Sequence, residues 1–113
     1  MKSNIQTRKL VTDLKKAGKD VSLWKRIATE LEKPTRHMCS VNIMKLDKHL
    51  REGETAIVPG KVLSLGALSK KTTVAAFSFS DAAKEKINKN GEALSISELL
   101  KKNPKASKVR IIK

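Results

Sequence analysis

The chain has 113 residues, enough for one modest core and too few for two independent ones. Its 25 Lys and Arg stand against 11 Asp and Glu, a formal net charge of +14, which excludes a self-contained neutral surface and points to a polyanionic partner whose condensed counterions are released on binding. With two Phe, one Trp and no Tyr, the core must be aliphatic, and no segment sets bulky aromatics opposite a basic face as a membrane-surface helix would.

Leu10, Val11, Leu14 and Ala17 recur at helical spacing among Arg8, Lys9, Lys15, Lys16 and Lys19. They predict a basic amphipathic helix of about three turns that stops at Gly18. Trp24, Ile27, Ala28 and Leu31 make one face of a second helix, capped by Asp20 or Ser22 and ended by Pro34. Trp24 lies on the apolar stripe and is therefore read as a core anchor. Residues 33–40 form a basic turn, and Ile43, Leu46 and Leu50 predict a short third helix with Gly53 beyond its end.

The pattern then becomes β-like. Residues 55–58 form a short extended run, Pro59-Gly60 reads as a turn, and residues 61–65 form a second run broken by Gly66. Lys70-Lys71 reads as a charged turn. Residues 72–79 alternate between two sets that are both small or apolar, which predicts a strand covered on both faces. Ser80 caps a fourth helix with Asp81 in its first turn and Asn90-Gly91 at its end. Residues 93–96 read as a strand, Ser97 as the cap of a short fifth helix stopped by Asn103-Pro104, and residues 109–112 as a last strand. The class is α+β: N-terminal helices, then an irregular body of short strands and short helices. The chain reads as a single domain, 1–113, with a helical part at 1–33 and an α+β body at 41–113. The N-terminal helices are free to stand off that body, and the composition of the basic ends favours no fixed structure there.

Catalytic parts are scarce. A lone Cys39 can make neither an internal disulfide nor a multi-thiolate metal site, and the pattern fits a reducing compartment. No apolar run approaches the ~18 residues of a membrane span, and residues 1–19 lack the apolar core of a signal peptide, so a soluble intracellular protein is expected. His37 and His49 match no zinc spacing. Cys39 and His37, two residues apart, share a side if extended, but a small buried thiol beside an incidental or RNA-facing imidazole is the better reading. Gly60-Lys61 fails as a phosphate loop, since Thr55 and Val62 stand where Gly and Ser or Thr are required. Gly60 is instead read as a turn glycine that lets backbone approach something closely, a phosphate on one reading and nothing beyond a plain structural turn on the other. Asp13, Asp20, Asp47 and Asp81 are scattered as caps and surface ion pairs. Four basic clusters carry more information: Arg8-Lys9 with Lys15-Lys16; Lys33 with Arg36 and His37; Lys70-Lys71; and the run Lys101, Lys102, Lys105, Lys108, Arg110 and Lys113. So few aromatics suit shape and phosphate readout of folded RNA better than base stacking on exposed rings.

Two stretches go beyond composition. Glu32-Lys33-Pro34-Thr35-Arg36 followed by Val41-Asn42-Ile43-Met44-Lys45-Leu46, and then Val58-Pro59-Gly60-Lys61-Val62-Leu63-Ser64-Leu65-Gly66-Ala67-Leu68, resemble successive blocks of a large-subunit ribosomal protein family. It is the archaeal and eukaryotic family eighteen of the eukaryotic-type series, related to bacterial large-subunit protein fifteen. Residues 73–80, 83–91, 99–104 and 109–111 continue the likeness, and the short length is similar to archaeal members. Ser64, Asn90 and Ala106 depart from its usual glycines.

The resemblance implies a noncatalytic structural constituent of the large ribosomal subunit, cytoplasmic, that binds large-subunit ribosomal RNA beside neighbouring ribosomal proteins. It implies no cofactor, metal, small-molecule substrate or membrane. Carried onto this chain, the RNA-facing residues are Lys33, Thr35, Arg36, His37, Asn42 and Lys45 in the first block and Lys61 in the second. Arg8, Lys9, Lys70, Lys71, Lys105, Lys108 and Arg110 rest on charge alone. The alternative is a general nucleic-acid chaperone or DNA-associated basic protein, although helix-turn-helix and zinc-finger cues are absent.

Overall fold

The computed structural model describes residues 5–32, 39–51 and 53–113, with side chains from Arg8 onward. Helices α1 (Ile5–Ala17) and α2 (Ser22–Leu31) precede strand β1 (Cys39–Asn42), which runs directly into α3 (Ile43–His49). Then come β2 (Thr55–Leu63), β3 (Thr73–Phe79), α4 (Asp81–Asn90), β4 (Glu92–Ser95), α5 (Ile96–Lys102) and β5 (Val109–Ile111).

The α+β class of the sequence reading is borne out. What the strands do together was not legible: every pairing is parallel, in the order β1-β2-β3-β4, with β5 also on β2. Strand β2 is the axis. Along one edge it pairs with β3. Along the other, β5 lies beside Thr55–Ile57 and β1 beside Gly60–Leu63, so two short strands share that edge end to end. Parallel strands need crossovers that cover both faces of the sheet, and the helices supply them.

The covering can be read from the alternation in β2 and β3. Ala56 and Val58, with Val74 and Ala76, pack with Ile43 and Leu46 of α3, with Leu50 just after it, and with Ala83 and Ile87 of α4. Ile57 and Ala75, between them in sequence, pack with Leu14 of α1, Trp24, Ile27, Ala28 and Leu31 of α2, and Ile96 and Leu99 of α5. That is a period of two delivering side chains to two helical layers. The N-terminal helices therefore do not stand off the body. Their apolar stripes need a partner, and the sheet face is that partner.

Trp24 is a core anchor, fully buried, and its Nε1–H donates to the Pro104 carbonyl at 2.7 Å. A buried indole N–H left unpaired would cost about 1–3 kcal/mol, so this bond fixes residue 104 to the core. Ser80 caps α4 as expected, its hydroxyl accepting from the Ala83 N–H at 3.2 Å.

Five local expectations are corrected. Pro59-Gly60 is no turn: β2 runs through it, and the register against β3 slips between Val58 and Lys61. A bulge leaves a residue unpaired, which is where a proline without an N–H is tolerated. Cys39 and Ser40 belong to β1 rather than to the basic turn. The cap of α5 is Ser95, not Ser97: the Ser95 hydroxyl accepts from the Glu98 N–H while the Glu98 carboxylate accepts from the Ser95 N–H, so the strand stops at Ser95. Helix α2 starts without a side-chain cap, Val21 holding the position given to Asp20 or Ser22. Finally, residues 103–113 are structured, through a braced loop and β5. The proposed stop at Pro34 lies outside the described residues.

Candidate nucleic-acid interface

The residues singled out by sequence fall on separate surfaces. Lys33, Thr35, Arg36 and His37 lie outside the described residues, which resume at Cys39, the first residue of β1. Arg8 and Lys9 are exposed on α1. Lys61 stands on the sheet itself: in register it faces Ser40 on β1 and Ser78 on β3, and all three are exposed. Their chain neighbours Val41 and Val62 point into the layer under α3 and α4. The row Ser40–Lys61–Ser78 therefore faces the α1, α2 and α5 side, where those helices leave the carboxyl end of the sheet uncovered. The row sets an ammonium between two hydroxyls on an open sheet face, groups that can donate hydrogen bonds to an anion. Sequence reasoning missed Ser40 and Ser78, because β1 was not legible.

Gly60 does admit a close approach, but inside β2 rather than in a turn, and by the β1 backbone rather than a phosphate. An added Cβ would lie 2.1 Å from the Cys39 carbonyl oxygen. Burial, and then the Glu30 carboxylate, push the Cys39 thiol above its ordinary value, the reverse of what a nucleophile needs.

Asn42 and Lys45 are used inside the molecule. Asn42 Oδ1 accepts the Leu65 N–H at 3.3 Å, and Lys45 Nζ donates to the Lys113 carbonyl at 2.6 Å. Asn42 belongs to a set of braces on residues 64–69. Lys86 Nζ donates to the Ser64 and Gly66 carbonyls, and Asp47 Oδ1 accepts from both the N–H and hydroxyl of Ser69. Those two bonds hold the Asp47 carboxyl below the usual carboxylate range.

Lys70, Lys71, Lys105, Lys108 and Arg110 gather at the opposite, amino end of the sheet. Val109, Thr55 and Thr73 are in register, so Lys108 and Thr72 precede equivalent positions two strands apart, roughly 10 Å. Lys61 and Lys108 are roughly 20 Å apart along β2 and cannot serve one contact point. Arg110 is held by Glu54 at 3.1 Å and Lys102 by Glu92 at 2.8 Å. A third surface was not singled out as a site: Lys15, Lys19 and Lys25 with Thr29 line a basin of about 320 Å³ between α1 and α2.

Among the described residues no three His, Cys, Asp or Glu are grouped to hold a metal, and no helix is long and apolar enough to cross a membrane.

Comparison with known proteins gives concordant results. Residues 21–93 match the model of a family described as ribosomal proteins, taking in 50S-L15, 50S-L18e and their 60S counterpart. The chain is 44% identical to the large ribosomal subunit protein eL18 of Methanospirillum hungatei, over 99% of this chain and 95% of that one. It is 41% identical to the eL18 of Haloarcula marismortui, over 99% and 98%, and 42% identical to that of Methanococcus maripaludis, over 99% and 96%.

Proposed function

The chain belongs to the ribosomal protein family that takes in 50S-L15 and 50S-L18e, structural components rather than enzymes, and from that premise we propose that it binds and stabilises folded large-subunit ribosomal RNA by Lys and Arg contacts to phosphate. In this reading residues 1–113 act as one RNA-binding domain, with the helical part at 1–33 and the body at 41–113. It works in the cytoplasm, within the large subunit and beside other large-subunit proteins.

The observation that carries the mechanism is arithmetic. With 25 cations and 11 acids, 25 − 11 = 14 Lys and Arg have no acid to pair with one to one, whatever the arrangement. The surplus is spread over the open sheet row, the amino end of the sheet and the α1–α2 basin. This distribution supports contact with a polyanion that surrounds the protein better than contact with a single straight duplex. Residues 33–37 and Lys61 are proposed as the specific contacts, since the first family block runs straight into β1, whose Ser40 faces Lys61. Arg36 offers a planar fork suited to phosphate.

The test is binding to a large-subunit rRNA transcript over a KCl series. The logarithm of affinity is expected to fall steeply, by about 0.7 to 0.9 per logarithmic unit of salt for each phosphate neutralised. A flat response, or a preference for competing duplex DNA over the transcript, refutes the proposal.

A further inference from the structure

We infer that the loop between α5 and β5 is a preformed phosphate-binding element, and that Asn103 is its positioning residue; this rests on the RNA-binding reading above.

The loop is held from within and from without. Asn103 braces it three times: its Nδ2 donates to the Ser107 carbonyl at 2.9 Å, its Oδ1 accepts the Ser107 N–H at 3.2 Å, and its backbone carbonyl accepts the Ala106 N–H at 3.0 Å. From outside, Trp24 Nε1 grips the Pro104 carbonyl, and the Lys108 carbonyl accepts the Thr55 N–H at 2.9 Å. Together these bonds fix the path of the chain from Asn103 to Lys108.

The backbone is the second observation. Ala106 and Lys108 have φ of +55° and +56°, the left-handed region that glycine occupies freely and other residues occupy at a cost. Lysine at such a position bears a backbone cost that glycine would not. Strain of this kind persists only where the surroundings over-determine it. Its result here is that Lys105, Ser107 and Lys108 are all exposed on a rigid frame.

Charge is the third. Among the described residues, the carboxylates Glu54 and Glu92 at this end of the sheet are engaged by Arg110 and Lys102. Lys105 and Lys108 have no acid partner among the described residues, and Lys71 lies across β2 from them. Two unpaired ammonium groups and a hydroxyl on a frame ordered before binding suit the phosphodiester backbone of folded RNA, because the ordering entropy is spent in folding rather than in binding. The loop reads no base, so it fixes position rather than sequence.

The experiment uses the full chain, the large-subunit rRNA transcript and a KCl series. Lys105→Gln with Lys108→Gln should lower the salt slope by about 1.4 to 1.8 and weaken binding roughly ten- to thirtyfold at 0.15 M salt, treating the two contacts as counterion release referred to 1 M salt. Asn103→Ala removes no charge, yet should lower both slope and affinity in the same direction. Added to the double Gln variant, it should change neither further. Lys108→Arg should keep the wild-type slope. Circular dichroism at the assay temperature confirms that each variant is folded. A wild-type slope in the double Gln variant overturns the site. A melting temperature lowered by Asn103→Ala with an unchanged slope overturns the positioning role. A flat slope in the wild-type protein is a different result, which refutes RNA binding itself.

Discussion

Replacing Gly60 by alanine tests whether the join between β1 and β2 depends on the absence of a side chain. The new Cβ would sit 2.1 Å from the Cys39 carbonyl oxygen, and at least 3.0 Å is needed, so the strands must part by 3.0 − 2.1 = 0.9 Å. Backbone hydrogen bonds near 2.9 Å do not survive that displacement, since the useful range ends near 3.2 Å. Among the described residues, strand β1 pairs only with β2, over four register positions. Losing roughly two or three bonds at about 1 kcal/mol each, together with part of the burial of Val41, gives about 3–5 kcal/mol. Urea unfolding followed by Trp24 fluorescence measures it, because Trp24 is the only tryptophan and lies in the layer across the sheet from Val41. At a slope of about 1.5 kcal/mol per molar the midpoint should drop by roughly 2–3 M. A loss below about 1 kcal/mol refutes the reasoning. Cys39→Ala in the same chain should not restore stability, since it removes the sulfur at 2.8 Å and leaves the carbonyl in place; rescue would show that the backbone contact was never limiting.

Other outcomes follow from the same structure. Ala106→Gly should stabilise by about 0.5–1 kcal/mol, the relief of a left-handed alanine less the entropy of glycine, read as a melting temperature raised by a few degrees; a lower melting temperature contradicts the conformation. Trp24→Phe should cost about 2–4 kcal/mol and speed amide exchange at residues 106–108, because the Pro104 carbonyl loses its donor and the core loses ring volume; stability loss without faster loop exchange argues against the anchor. The Asp47 carboxyl is held down in the folded state, so its contribution is present above the ordinary carboxylate range and is lost as pH falls through its lowered value. The Ser69 amide resonance should follow that titration, and in Asp47→Asn the acid-dependent shift should disappear.

Elements were legible where one local rule decided them. The four-residue stripe of α2 and the serine cap of α4 needed no tertiary information. The double covering of β3 was also visible, because Val74, Ala75 and Ala76 are apolar on both parities. Strand β1 was not visible: Cys-Ser-Val-Asn is too short to show alternation, and its extended form comes from Gly60 admitting it beside β2. Pro59-Gly60 misled for a related reason, since the pair most often found in turns is equally at home in a bulge. The α5 cap was misplaced although Ser95 and Glu98 hold the spacing of a capping box. For the interface, sequence found cations and could not sort them. Asn42 and Lys45 share the first block with Arg36, yet side-chain hydrogen bonds tie both into the body. Asn103 read only as a helix stop, and its bracing of Ser107 depends on a backbone path that composition does not encode.

The divided edge of β2 has a consequence for the order in which the molecule comes together. The β1 half closes over 60 − 39 = 21 residues and the β5 half over 109 − 55 = 54, so the second closure costs about 0.8 kcal/mol more in chain entropy. During synthesis the front of β2 waits for residue 109, and the 109 − 63 = 46 residues after Leu63 take roughly 2–9 s to add. For that interval Thr55–Ile57, with apolar Val58 beyond, has an unmatched row of amides and carbonyls, the kind of edge on which nascent chains pair with one another. The same excess of lysine that draws the finished protein to RNA also keeps two half-made copies apart while that edge stands open.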